Sequence, residues 1–109
     1  MNNKNNKMPS ADHVLKVLAD VLKPKVKYIT NADPVLTLKD AQKFIGGYVE
    51  RVMLVDGRRM LVDEDAQLKK SKINKEATDI FNKSGTSPFM YNIFGNVIVI
   101  ESNVRKGGW

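Results

Sequence analysis

Hydrophobic and polar positions recur along this chain with two different periods, and the changes of period divide it into elements. After a polar opening, Ala11, Val14, Leu15, Leu18 and Leu22 recur at helical spacing, widened by Val17 and Val21. Ser10 suits the N-cap, Asp12 the first turn and Lys23 the last, and Pro24 forbids continuation. The pattern predicts an amphipathic helix within residues 10–24, behind a flexible tail at 1–9. Lys25 to Thr30 is β-prone and partly alternating, and Asn31 to Pro34 reads as a turn. Thr37 then opens a second helix, with Asp40 three residues on. Its expected buried face is Leu38, Ala41, Phe44 and Ile45, and Gly46 is placed to close it in the left-handed conformation.

The centre of the pattern is a hairpin. Tyr48 to Val55 and Arg58 to Asp63 flank Asp56-Gly57, a strong short turn signal. A two-residue turn would set Val52 opposite Leu61, Met53 opposite Met60 and Glu50 opposite Asp63. Both faces then carry apolar residues, which predicts a sheet covered on both sides, or covered on one and joined to a partner on the other. Asn74 is a good cap for a helix over 75–83 with Ala77, Ile80 and Phe81 inward. Ser84 to Pro88 breaks it, and Phe89 to Phe94 follows no single period. Val97 to Glu101 is an apolar, β-branched run that reads as a strand buried on both faces. The stretch 102–109 is basic and glycine-rich, which predicts a flexible tail. The resulting class is α+β: one domain over 25–101, with a small, mostly antiparallel sheet of about four strands around the Asp-Gly hairpin and two to three helices.

Composition narrows this further. A chain of 109 residues, 42% of them hydrophobic, can bury a core without staples. Cysteine is absent, which excludes disulfides, thiol nucleophiles and thiolate metal sites and fits a reducing cytosol. No apolar run reaches the roughly 20 residues that span a bilayer, and the opening lacks the apolar segment of a secretory signal. Cytoplasmic location and no membrane partner are therefore expected. A net charge of +6 favours encounters with anions.

Ile45-Gly46-Gly47-Tyr48-Val49-Glu50 resembles the core box of an uncharacterised domain family of bacteriophage and mobile elements, with a Gly-Gly-Tyr-Val/Ile-Glu signature. The resemblance runs over roughly residues 25–101 and takes in Asp56 and Gly57, Asp63 and Glu64, Leu68 and Lys69, Asn74, Ala77 and Thr78, and Gly95. Ala66, Ser71-Lys72 and Asn96 depart from it, where the family has a glycine, Leu-Pro and Asp. It implies a phage-type origin, host-cell cytoplasm as the setting and an α+β fold, and no named activity.

The residues carry no enzyme signature: there is no P-loop, no dinucleotide fingerprint, no paired-histidine zinc motif and no nucleophile elbow. A non-enzymatic protein without cofactor is expected. Glu50, Asp63 and Glu64 are the candidates for an oxygen-ligand cation site, unless Arg51, Arg59 or Lys69 neutralises them. The stronger candidates bind anions: Tyr48, Glu50, Arg51, Arg58, Arg59, Lys69, Lys70, Lys72, Asn74, Lys75 and Thr78, with Lys23, Lys25 and Lys27 as a further basic group. Tyr28, Tyr48, Phe89, Tyr91 and Trp109 offer stacking surfaces. Lysines beside the N-terminus opened by Asn74 suggest an anion seat. The expected function is a phage-type accessory module that binds nucleic acid or a small nucleotide, with countering host defence as its use. The alternative is a protein-binding inhibitor or adaptor acting on a host enzyme through the N-terminal helix. Exposed strand edges would permit a homodimer in either case.

Overall fold

The computed structural model describes Ala11, Val14, Leu15 and residues 23–85 and 90–109. Strands β1 (Val26–Ile29), β2 (Val49–Met53), β3 (Arg59–Asp63) and β4 (Val97–Ile100) form one sheet in the order β1-β4-β3-β2. Two of the three pairings are antiparallel, and β1 runs parallel to β4. Helix α1 (Leu38–Ile45) lies between β1 and β2 in the chain, and α2 (Lys75–Ser84) between β3 and β4.

Both helices start and stop where local chemistry dictates. Thr37 Oγ1 accepts from Asp40 N at 3.1 Å, and Gly46 closes α1 at φ 88° while its N–H reaches Gln42 O at 2.7 Å. Asn74 Oδ1 accepts from Ala77 N at 3.0 Å and opens α2.

Strand alternation then sorts the core into two layers. Ile29, Leu61, Ile98, Ile100 and Val104 pack with Ala41 and Ile45 of α1. Met60, Val62, Val97 and Val99 pack with Ala77 and Phe81 of α2. The sheet is therefore covered on both sides by its own helices, one of the two arrangements the hairpin pattern allowed. The central strands β3 and β4 are buried throughout. Burying each large aliphatic side chain there stabilises the fold by about 1.5–3 kcal/mol. Leu38, expected on the inner face of α1, is 54% exposed.

The hairpin departs from the expected register by one residue. Leu54 N donates to Arg58 O at 2.9 Å and Gly57 N to Leu54 O at 3.0 Å, so the loop is Val55-Asp56-Gly57. Gly57 takes the left-handed position at φ 89°, while Asp56 Oδ1 accepts from Arg58 N at 3.1 Å. A two-residue primed turn would need positive φ at Asp56 as well; the side-chain bond to the residue two ahead favours the three-residue form. Val52 consequently faces Met60, Met53 faces Arg59, and Val49, not Glu50, faces Asp63. A slip of one residue exchanges the faces of β2 relative to β3.

The stretch 102–109, expected to be a flexible tail, is folded onto the α1 layer. Val104 is 2% exposed and belongs to the core. Trp109 Nε1 donates to Leu36 O at 2.8 Å, and Asn31 Nδ2 to Asn103 O at 3.1 Å. Lys106 Nζ donates to Asn31 O at 3.0 Å and also to Asp33 O. The basic composition of this stretch points away from packing, yet the Lys106 ammonium satisfies carbonyls of the 31–33 turn. The N-terminal tail, most of the expected N-terminal helix and Phe89 lie outside the described residues. Ala11, Val14 and Leu15 are helical and exposed.

Candidate functional site

The two glycines of the Gly-Gly-Tyr box have separate jobs. Gly46 ends α1. Gly47 makes room: a Cβ there would lie 2.6 Å from Lys69 Nζ and 3.0 Å from Asp63 Oδ1. Beneath it Lys69 Nζ meets Asp63 Oδ2 at 2.5 Å and donates to Gly46 O at 2.9 Å. The Asp63 side chain is 4% exposed, and its Oδ1 accepts from Asp65 N at 2.8 Å. This carboxylate thus ties the helix end to the turn after β3. Lys69, expected to receive an outside anion, is the counter-ion of Asp63.

Glu50, Asp63 and Glu64 line a common hollow of about 350 Å³. Among the described residues, however, no group of three or more His, Cys, Asp or Glu is arranged to hold a metal ion. Glu50 is exposed on an edge strand, one register step from the position expected of it.

Asn74 and Thr78, expected to touch ligand, both fasten the chain. Asn74 is 1% exposed and its Nδ2 donates to Lys25 O at 3.1 Å and Gly95 O at 2.9 Å. Thr78 Oγ1 accepts from Ile93 N at 2.8 Å. Asn96, a departure from the resembled family, accepts from Lys25 N at 2.9 Å and donates to Phe44 O at 3.1 Å. An ionised aspartate could not make the second bond.

The hairpin arginines enter different contacts. Arg58 Nε pairs with Asp56 Oδ2 at 2.8 Å. The Arg58 backbone N–H, and after it this side-chain bond, hold the Asp56 carboxyl below its usual range. Arg51 Nη1 donates to Trp109 O at 2.9 Å. Arg59, expected at an exposed tip, is only 5% exposed. Tyr48 is 68% exposed and borders a shallow hollow with Lys39 and Lys43. Tyr91 packs on Phe81 with ring centroids 5.9 Å apart.

What the fold does bring together is Lys72 and Lys75 with Lys23. They line a hollow of about 280 Å³ at the start of α2, whose wall also includes Asn74 and Glu76. Asn74 satisfies the Ala77 N–H, while those of Lys75 and Glu76 precede the first intrahelical bond. The ion pairs among the described residues, Arg58–Asp56 and Lys69–Asp63, leave these three lysines out. Glu76 instead accepts a hydrogen bond at Oε2 from Tyr28 Oη. Partial burial, this bond and the carboxylate's charge push the Tyr28 phenol up to about 12. Lys70 sits at the preceding turn with φ 57° and is exposed. Position in the chain groups Lys23 with β1 and hides its place beside Lys72, and Pro24 lines the same hollow.

No family model, curated protein or solved structure matches this chain. Among the described residues no helix is long and apolar enough to cross a membrane.

Proposed function

We propose that this protein is a non-enzymatic binding module whose ligand is a nucleic acid strand, seated by its phosphates on Lys23, Lys72 and Lys75. The observation that carries the reading is convergence: lysines from separate segments border one hollow, and no described carboxylate pairs with them. Lysine ammonium groups act as point charges, suited to a repeating phosphate backbone more than to one rigid small ligand. Exposed Lys70, two residues before Lys72, extends the basic run. The start of α2 adds a favourable dipole. A phage-type origin rests on the Gly-Gly-Tyr box resemblance, and countering host defence is the use proposed for a module of that origin.

The test is a titration of labelled single-stranded oligonucleotide across a salt series, with mononucleotides as competitors. Affinity should fall steeply as salt rises, and mononucleotides should compete poorly. Salt-insensitive binding, or displacement by one mononucleotide at low concentration, contradicts the strand reading and favours a nucleotide pocket.

A second reading, capture of a host protein, keeps one supporting observation: Val14 and Leu15 are 42% and 63% exposed on a helix. Deleting residues 1–22 should then leave the melting temperature unchanged and abolish capture.

A further inference from the structure

On the opposite side of the sheet, the α1 side, the corrected hairpin register assembles a second positive centre. Arg51, Met53 and Arg59 share that face, with Met53 directly across from Arg59 and Arg51 diagonal to it. Arg59 is buried, and a guanidinium cannot shed its charge by deprotonating. Its Nη1 donates to Glu101 O at 3.1 Å and Ser102 O at 3.5 Å, and its Nη2 to Val104 O. These acceptors are neutral. Among the described residues no carboxylate pairs with it, and its Nε has no acceptor at all. Burial, then the charges of Arg105 and Arg51, hold the guanidinium below its ordinary range. Like charges gathered around a buried, uncompensated cation are costly unless an anion completes the group.

Beside Arg59 lies a hollow of about 240 Å³, lined also by Arg105, Met53, Val104 and Trp109. Arg105 is exposed, and its Nη1 donates to Ser102 O at 2.5 Å, which holds it at the rim. Trp109 is fixed from both ends: its indole N–H donates to Leu36 O, and its main-chain oxygen accepts from Arg51.

We propose that this hollow is a binding site for a phosphate monoester. The Arg59 and Arg105 guanidinium groups border the hollow and match a dianion in charge, the Arg59 Nε is left to donate, and Arg51 adds its charge from beside them. The Met53 and Trp109 walls give the ester's carbon substituent an apolar surface, so the ester should bind more tightly than the free ion. Nothing here depends on the lysine hollow, which lies at the start of α2.

The experiment is thermal unfolding and calorimetric titration of the full chain with inorganic phosphate and with adenosine 5′-monophosphate. Sodium chloride holds ionic strength constant. Both ligands should raise the melting temperature, the ester more. Arg105→Gln should remain folded, because its side chain is exposed, and should weaken both ligands about tenfold or more, the loss of a charge-assisted hydrogen bond. Arg51→Gln serves as a second handle should the first variant fold poorly. Lys72→Gln with Lys75→Gln should leave phosphate binding unchanged. No shift with either ligand at ~10 mM, far above the dissociation constant a built site should reach, overturns the proposal; so does an equal response in both arginine variants. A response lost on removing the lysines instead overturns it too, and places the anion at the start of α2.

Discussion

Alanine at position 47 tests the reading of the glycine pair. The new Cβ would stand 2.6 Å from Lys69 Nζ, so the ammonium must retreat by about 1 Å to reach ordinary contact. That breaks the 2.5 Å contact with Asp63 and the 2.9 Å bond to Gly46 O together. Lys69 is 43% exposed at its side chain and can rehydrate, which lowers the cost. Asp63 cannot follow it into water, being 4% exposed, and keeps only the Asp65 N–H. The expected loss is about 1–2 kcal/mol, a sizeable share of a small domain's stability. Lys69→Met removes the same pair, so adding Gly47→Ala to it should cost little more. Urea unfolding of the four proteins in the cycle gives the coupling. Additive losses, or a neutral Gly47→Ala, would refute the idea that this glycine exists to admit the ion pair. Gly46→Ala is the internal control. Nothing lies within 4 Å of its Cβ, and its cost of about 1–2 kcal/mol should come from φ alone and be blind to Lys69.

Other outcomes follow from the same contacts. Asn74→Ala removes a cap and two bridging donors and should destabilise by about 2–4 kcal/mol in urea, with Asn74→Asp, which keeps the cap, losing less. Val104→Ala should cost about 1–2 kcal/mol, and the Val104 amide, bonded to Glu101 O at 3.1 Å, should resist hydrogen exchange as a flexible tail would not. The folded-state pKa of Asp56 is depressed, so its contribution is present above the unfolded value of about 4 and lost as pH falls through the folded value. The stability gap between wild type and Asp56→Asn should therefore close in acid. The Tyr28 pKa is raised, so its contribution is complete below about pH 10 and is lost as pH climbs towards about 12. A spectrophotometric phenolate titration should show one late-titrating tyrosine, absent from Tyr28→Phe.

Much of the fold is legible in the sequence because its signals are local. Thr37, Gly46 and Asn74 fix helix ends through bonds to residues within four positions, and these boundaries fall where the sequence places them. The unbroken apolar run Val97–Ile100 marks a strand covered on both faces. The parallel pairing of β1 with β4 joins residues about seventy positions apart, and no periodicity reports such a contact. The hairpin register differs from expectation through a single extra loop residue, Val55. That difference matters most for the second basic centre, since it sets Arg51 and Arg59 on one face of the sheet. Charge composition is equally silent about purpose. Lys69 and Lys106 serve internal carboxylate and carbonyl groups, whereas Lys23, Lys72 and Lys75 border an open hollow, and only the tertiary fold separates the two kinds.

The most direct measurement compares the salt dependence of single-strand binding by the wild-type protein with that of a variant carrying Lys23→Gln, Lys72→Gln and Lys75→Gln. If those ammonium groups each neutralise a phosphate, the slope of log affinity against log salt should flatten by about 2, with the melting temperature held. An unchanged slope in a folded variant would place the strand elsewhere and contradict the account.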